Sequence, residues 1–141
     1  MNWAKAYIIT AGVLGVGTGL LGFLGNPFVA EPVHDPIFAT DATHNLIHIA
    51  TGVLALWIGL RTTGERQARG ITSFGILYLV LFVTLLISPD LFGVLRVDVN
   101  NADHVLHAAL GLATLVVGLG ATRSSSGRNT AIWAEKLPLD W

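Results

Sequence analysis

The stretch THNLIHIATGVLALWIGL, residues 43–60, decides the fold: it holds no Lys, Arg, Asp or Glu, yet carries two histidines in its first turns. Wound as an α-helix rising ~1.5 Å per residue, such a stretch approaches the ~30 Å hydrocarbon core of a bilayer. Working outward, three more uncharged runs of similar length lie at 6–25, 71–88 and 104–122. Inside lipid every backbone N–H and C=O must be paired within the chain. Continuous rather than alternating apolar runs in so short a chain therefore predict helices, not a barrel. The expected fold is all-α: one four-helix transmembrane bundle over residues 1–122, followed by a tail, 123–141.

Composition agrees with a membrane chain. Of 141 residues, 52% are hydrophobic and only 12% charged, against roughly a quarter charged in soluble domains. Sixteen glycines among apolar runs fit close helix packing in lipid. A net charge of -1 supplies no basic face for nucleic acid, and the absence of cysteine removes disulfides, thiolate metal sites and thiol nucleophiles. The first run reads as a retained helix rather than a signal peptide, since Phe28-Val29-Ala30 is a poor cleavage site.

Orientation follows from the basic residues, which stay cytoplasmic near span ends. Lys5, Arg61, Arg66, Arg69, Arg123, Arg128 and Lys136 fall on the side of the termini and the expected 61–70 loop, leaving Arg96 opposite. Both termini are expected to be cytoplasmic, in a multi-pass protein of the inner (cell) membrane. Trp3, Tyr7 and Trp57 would anchor the inner interface, and 131–137 could lie along it. Residues 26–40, with Pro27, Pro32 and Pro36, read as a long outer loop; Leu91, Phe92, Val94 and Leu95 read as interfacial; Ser124–Gly127 reads as a flexible joint.

Laying residues 45–52 over 104–111, an offset of 59, makes His48/His107, Ala50/Ala109, Gly52/Gly111, Leu56/Leu115, Gly59/Gly118 and Leu60/Leu119 identical. Spans one and three match poorly, so the register points to a duplicated hairpin in which spans two and four run parallel. His48 and His107 would then share one depth. Residues three or four apart share a helix face. His44, His48, His104 and His107, with Asp103 or Asp41 alongside, could thus converge on one spot at the outer boundary. Asp41 and Asn101 are the expected helix caps. Histidine without thiolate suits zinc, copper, nickel or iron. A haem or chlorophyll reading would use His48 and His107 as axial ligands, with Gly52 and Gly111 leaving room for the macrocycle. A third reading makes the histidines a hydrogen-bonded lock between two hairpins. His34 reads as a plain loop residue.

Other signals define what the chain lacks. Gly12, Gly15, Gly19 and Gly22 form a small-residue stripe for helix packing, and Gly52/Gly59 and Gly111/Gly118 are expected at the contact between spans two and four. Ser73, Thr84 and Ser88 have no neighbouring base, and no phosphate-binding loop or nucleophile elbow occurs. Spans two, three and four carry no mid-membrane charge to relay protons, which disfavours transport. A metal-dependent hydrolase would need a general base, for which Asp103 is the candidate. The chain reads as a non-enzyme: a scaffold or accessory subunit whose partners are the lipid bilayer and other membrane subunits.

His44-Asn45-Leu46-Ile47-His48 followed by Gly52, and Asn101-Ala102-Asp103-His104-Val105-Leu106-His107 followed by Gly111, resemble a bacterial four-span membrane family, domain of unknown function 4383. Its pattern reads H-N-L-x-H-x-x-x-G on the second span and N-x-A-D-x-x-L-H-x-x-x-G on the fourth. The resemblance covers roughly residues 6–122 and implies that His44, Asn45, His48, Asp103 and His107 occupy motif positions. His104 departs from the pattern, so the resemblance implies His44, His48, His107 and Asp103 as the core set. It supplies no activity.

Overall fold

The computed structural model describes residues 3–24, 29–30 and 37–136. Among them run α1 (Trp3–Leu21), strands β1 (Val29–Ala30) and β2 (Phe38–Ala39), α2 (Ala42–Arg61), α3 (Gly64–Ile87), a 3-10 turn at Leu91–Gly93 and α4 (Asn101–Lys136). The two strands form a short parallel pair, Val29 opposite Phe38 and Ala30 opposite Ala39. Four helices are long and apolar enough to cross a membrane, the last over Asn101–Ser124. Large apolar side chains such as Val13, Leu20, Val53, Ile76, Val80 and Val116 are exposed along them. Helices apolar all round, with little buried, require an apolar solvent. The protein is a multi-pass membrane helical bundle.

Two boundaries differ from expectation. The 61–70 loop shrinks to Thr62 and Thr63, because α3 already begins at Gly64. The buried Gln67 explains this: its amide donates to the carbonyls of Gly59 (3.2 Å) and Thr62 (2.7 Å), closing the end of α2 from within α3. The Ser124–Gly127 joint is also absent, since α4 continues through it to Lys136. Serine and glycine weaken a helix but do not end one that lacks a competing cap. His34, Pro27, Pro32 and Pro36 lie outside the described residues.

Helix α1 packs principally on α2, and α3 on α4. Glycines set these contacts. A Cβ at Gly12 would stand 2.7 Å from the Leu56 side chain and one at Gly75 2.7 Å from the Leu115 nitrogen. Likewise Gly52 meets Val16 where Gly111 meets Leu79, and Gly59 meets Ile9 where Gly118 meets Thr72. The partners in α2 and α4 are 59 residues apart, and those in α1 and α3 are 63 apart in all three cases. The duplication thus extends to α1 and α3, whose side chains have diverged while their packing has not. Gly52, Gly59, Gly111 and Gly118 pack within the hairpins. The expected contact between spans two and four is not made by them, because each is filled by its own hairpin partner.

At the end of the bundle away from the histidines, Ala4, Ile8, Ala55, Ile58, Ile71 and Phe74 form the buried core, with Tyr7 and Tyr78 packed against it. Tyr7 turns inward: its hydroxyl and that of Thr114 lie 2.8 Å apart, tying α1 to α4. Trp3 and Trp57 remain exposed, as interface anchors would. At the other end Leu91 and Phe92 take left-handed φ of 47° and 59°, and Phe92 and Val94 stand 73% and 77% exposed. The Ser88 hydroxyl beside Asp90 holds that carboxyl below its ordinary range.

Candidate metal centre

Helix α2 starts where its sequence allows. Asp41, extended at φ -121°, accepts the His44 N–H at 2.7 Å as N-cap. Helix α4 is capped by Asn100 instead of the expected Asn101. The Asp103 N–H donates to Asn100 Oδ1 at 3.1 Å while the Asn100 N–H donates to Asp103 Oδ2 at 2.8 Å. This reciprocal pair satisfies two orphan donors at once, which a cap at Asn101 could not do with Asp103 two residues away.

The two carboxylates of these caps, Asp41 and Asp103, also hold each other's hairpin. Asp41 Oδ2 accepts the Asp98 N–H (3.3 Å), and Asp103 Oδ2 accepts the Ala39 N–H (3.0 Å). Ala39 and Asp98 are themselves 59 residues apart. The histidine end is therefore closed by a pair of straps, each running from one repeat to the other.

Under the straps lie His44, His48 and His107, each with a ring nitrogen placed so that the three atoms fall within 4.8 Å of one another. His44 is 2% exposed and His107 7%. Ring centroids stand 4.7 Å apart for His44 and His48, 5.5 Å for His44 and His107, and 5.7 Å for His48 and His107. His44 Nδ1 faces the carbonyls of Asp98 at 2.8 Å and Ala39 at 3.1 Å. Carbonyls only accept, so Nδ1 carries the proton and, in the neutral ring, Nε2 presents its lone pair. That lone pair points at His48 Nε2, 3.1 Å away. A histidine whose outer nitrogen is fixed by carbonyls while its inner nitrogen faces other imidazoles has the orientation of a metal ligand.

Two residues of the sequence-derived set stand apart. His104 packs against Phe82 with centroids 6.1 Å apart, and its Nδ1 is buried without a hydrogen-bond partner. The spacing explains it. His44 precedes His48 by four positions, whereas His104 precedes His107 by three, a rotation of about 100° around the helix. The position equivalent to His44 is Asp103, whose Oδ2 is taken up by capping and strapping. Tyr78, not singled out from the sequence, edges against His107 at 5.6 Å. A hydroxylated aromatic inside an otherwise apolar span was the available signal.

His44 packs against both His48 and His107, and the cavity beside the three rings measures only about 20 Å³, too small for a macrocycle. A second cavity, of about 220 Å³, lies between the hairpins with His48 in its wall.

The family described as Domain of unknown function (DUF4383) matches residues 5–120. The chain belongs to that family. No curated protein and no solved structure matches it. Within this DUF4383 chain the three converging histidines all lie inside the matched region, as do both straps.

Proposed function

We infer that this DUF4383 protein is a non-enzymatic accessory or scaffold subunit of a membrane complex that holds one transition-metal ion between its two hairpins. His44, His48 and His107 would be the ligands. The observation that carries the reading is the convergence of three imidazoles from two helices, with His44 fixed through Nδ1 to two carbonyls. A set of three nitrogens without thiolate suits zinc, copper, nickel or iron and leaves a fourth position open. The charge bias supports an orientation with the histidine end outside and both termini in the cytoplasm of an inner-membrane protein. A second reading has its own support: the 2.8 Å bond from His44 Nδ1 to the Asp98 carbonyl crosses from one repeat to the other, so the cluster can lock the hairpins without an ion.

Elemental analysis and an absorption spectrum of protein purified gently from its native membrane test the choice, beside a His48→Ala, His107→Ala double variant. About one metal per chain, lost in the variant, supports the ion. Metal-free protein whose variant only melts earlier supports the lock and overturns the metal reading.

A further inference from the structure

A cavity of about 220 Å³ lies between the hairpins, and the histidine cluster does not account for it. Its wall is almost wholly apolar and holds no charged side chain, and at this depth in the bundle any ligand must be neutral and arrive through lipid. Exposed Leu14 and Leu106 stand at its edge. An apolar cavity of about 150 Å³ takes one benzene ring, so this one takes a single ring with small substituents. Phe74 and Tyr78 supply aromatic surface for it.

The polar groups in the wall narrow the chemistry further. Thr18, Thr51 and Thr114 each donate to a carbonyl of their own helix. By contrast, His48 has committed Nε2 to His44. Its Nδ1 and the Tyr78 hydroxyl have no hydrogen-bond partner among the described residues, though both side chains line the cavity. An acyl chain would leave both groups unpaired, which disfavours it as the occupant. A ring bearing oxygens would satisfy them.

We propose that this cavity binds the headgroup of a membrane-soluble quinone or quinol, its ring against Phe74 and Tyr78 and its oxygens hydrogen-bonded to the Tyr78 hydroxyl and His48 Nδ1. The tail leaves past Leu14 and Leu106 into the bilayer. The inference rests on the cavity and holds whether or not an ion occupies the three histidines.

The test uses the full chain in lipid nanodiscs and a benzoquinone carrying a ten-carbon chain, with an azido derivative for photolabelling. Saturable one-to-one binding is expected, with label in 74–78 and 106–114. Tyr78→Phe should weaken binding about tenfold, as loss of one hydrogen bond predicts, while leaving metal content unchanged. Ala11→Phe should fill the cavity and abolish binding, and photolabelling of the unaltered chain decides the matter should that variant misfold. Stripping any bound ion with a chelator, which alters no side chain of the cavity, should leave quinone binding as before. Absence of saturable binding overturns the proposal. So does full affinity in Tyr78→Phe with equal displacement by dodecane, which would make the cavity an acyl-chain groove.

Discussion

At the residue scale, two histidines that look equivalent in sequence have different fates. His44 and His104 each sit near the start of a helix, one turn before a matching histidine. Only His44 reaches the cluster. Exchange of His44 for Ala is therefore expected to remove bound metal, whereas His104→Ala leaves it in place. Metal content measured on the two variants checks this, and equal loss in both would show a site unlike the one described. The motif resemblance set His104 aside, but spacing alone kept it a candidate, because whether a three-residue step reaches the cluster depends on how each helix is rotated against its partner. Tyr7 makes the same point: its position near the first span's start reads as an interface anchor, and its hydroxyl instead meets Thr114.

At the element scale, glycine spacing governs which helices touch. A Cβ at Gly52 would stand 2.5 Å from the Val16 nitrogen and 2.9 Å from the Gly12 carbonyl oxygen, so α1 and α2 would have to separate. Gly52→Ala should destabilise the protein by about 1–3 kcal/mol, the usual range for overpacking. Gly17 has nothing within 4 Å, and Gly17→Ala should be neutral or stabilise by up to about 1 kcal/mol through helix propensity. Reversible unfolding in mixed micelles measures both, and equal effects would contradict the packing described. The glycines were legible in the sequence as a small-residue pattern, yet their partners were not. A stripe shows only that some backbone comes close. That Gly52 meets α1 rather than α4 depends on hairpin geometry. The link at Thr62–Thr63 is similar, since Gln67 reads as a loop residue until its amide is seen closing α2.

At the scale of the whole molecule, two hairpins meet through few connections: the straps at Asp41 and Asp103, the histidines and the Tyr7–Thr114 pair. An ion shared between His44 and His48 on one hairpin and His107 on the other would add to these, stabilising the folded state by about 2.7 kcal/mol at a hundredfold excess over its Kd. A chelator should lower the melting temperature of the unaltered protein and leave the His48→Ala, His107→Ala variant unmoved. A chelator with no effect on either would argue for the hydrogen-bonded lock. Topology is equally open to test, since the chain has no cysteine. A cysteine at Phe92 should react with an impermeant reagent from outside, and one at Arg66 only after the membrane is opened. The reverse pattern would invert the proposed orientation. The sequence by itself determined the solvent, the helix count, the repeat across spans two and four and the histidine-bearing end, because these follow from uncharged length and identity at fixed spacing. Only the tertiary structure decided that Asp103 caps and straps rather than joining the three histidines, which backbone groups the straps hold, and where α1 and α3 carry the repeat. Those depend on helix rotation and close backbone approach, which residue types at sequence positions do not encode one at a time.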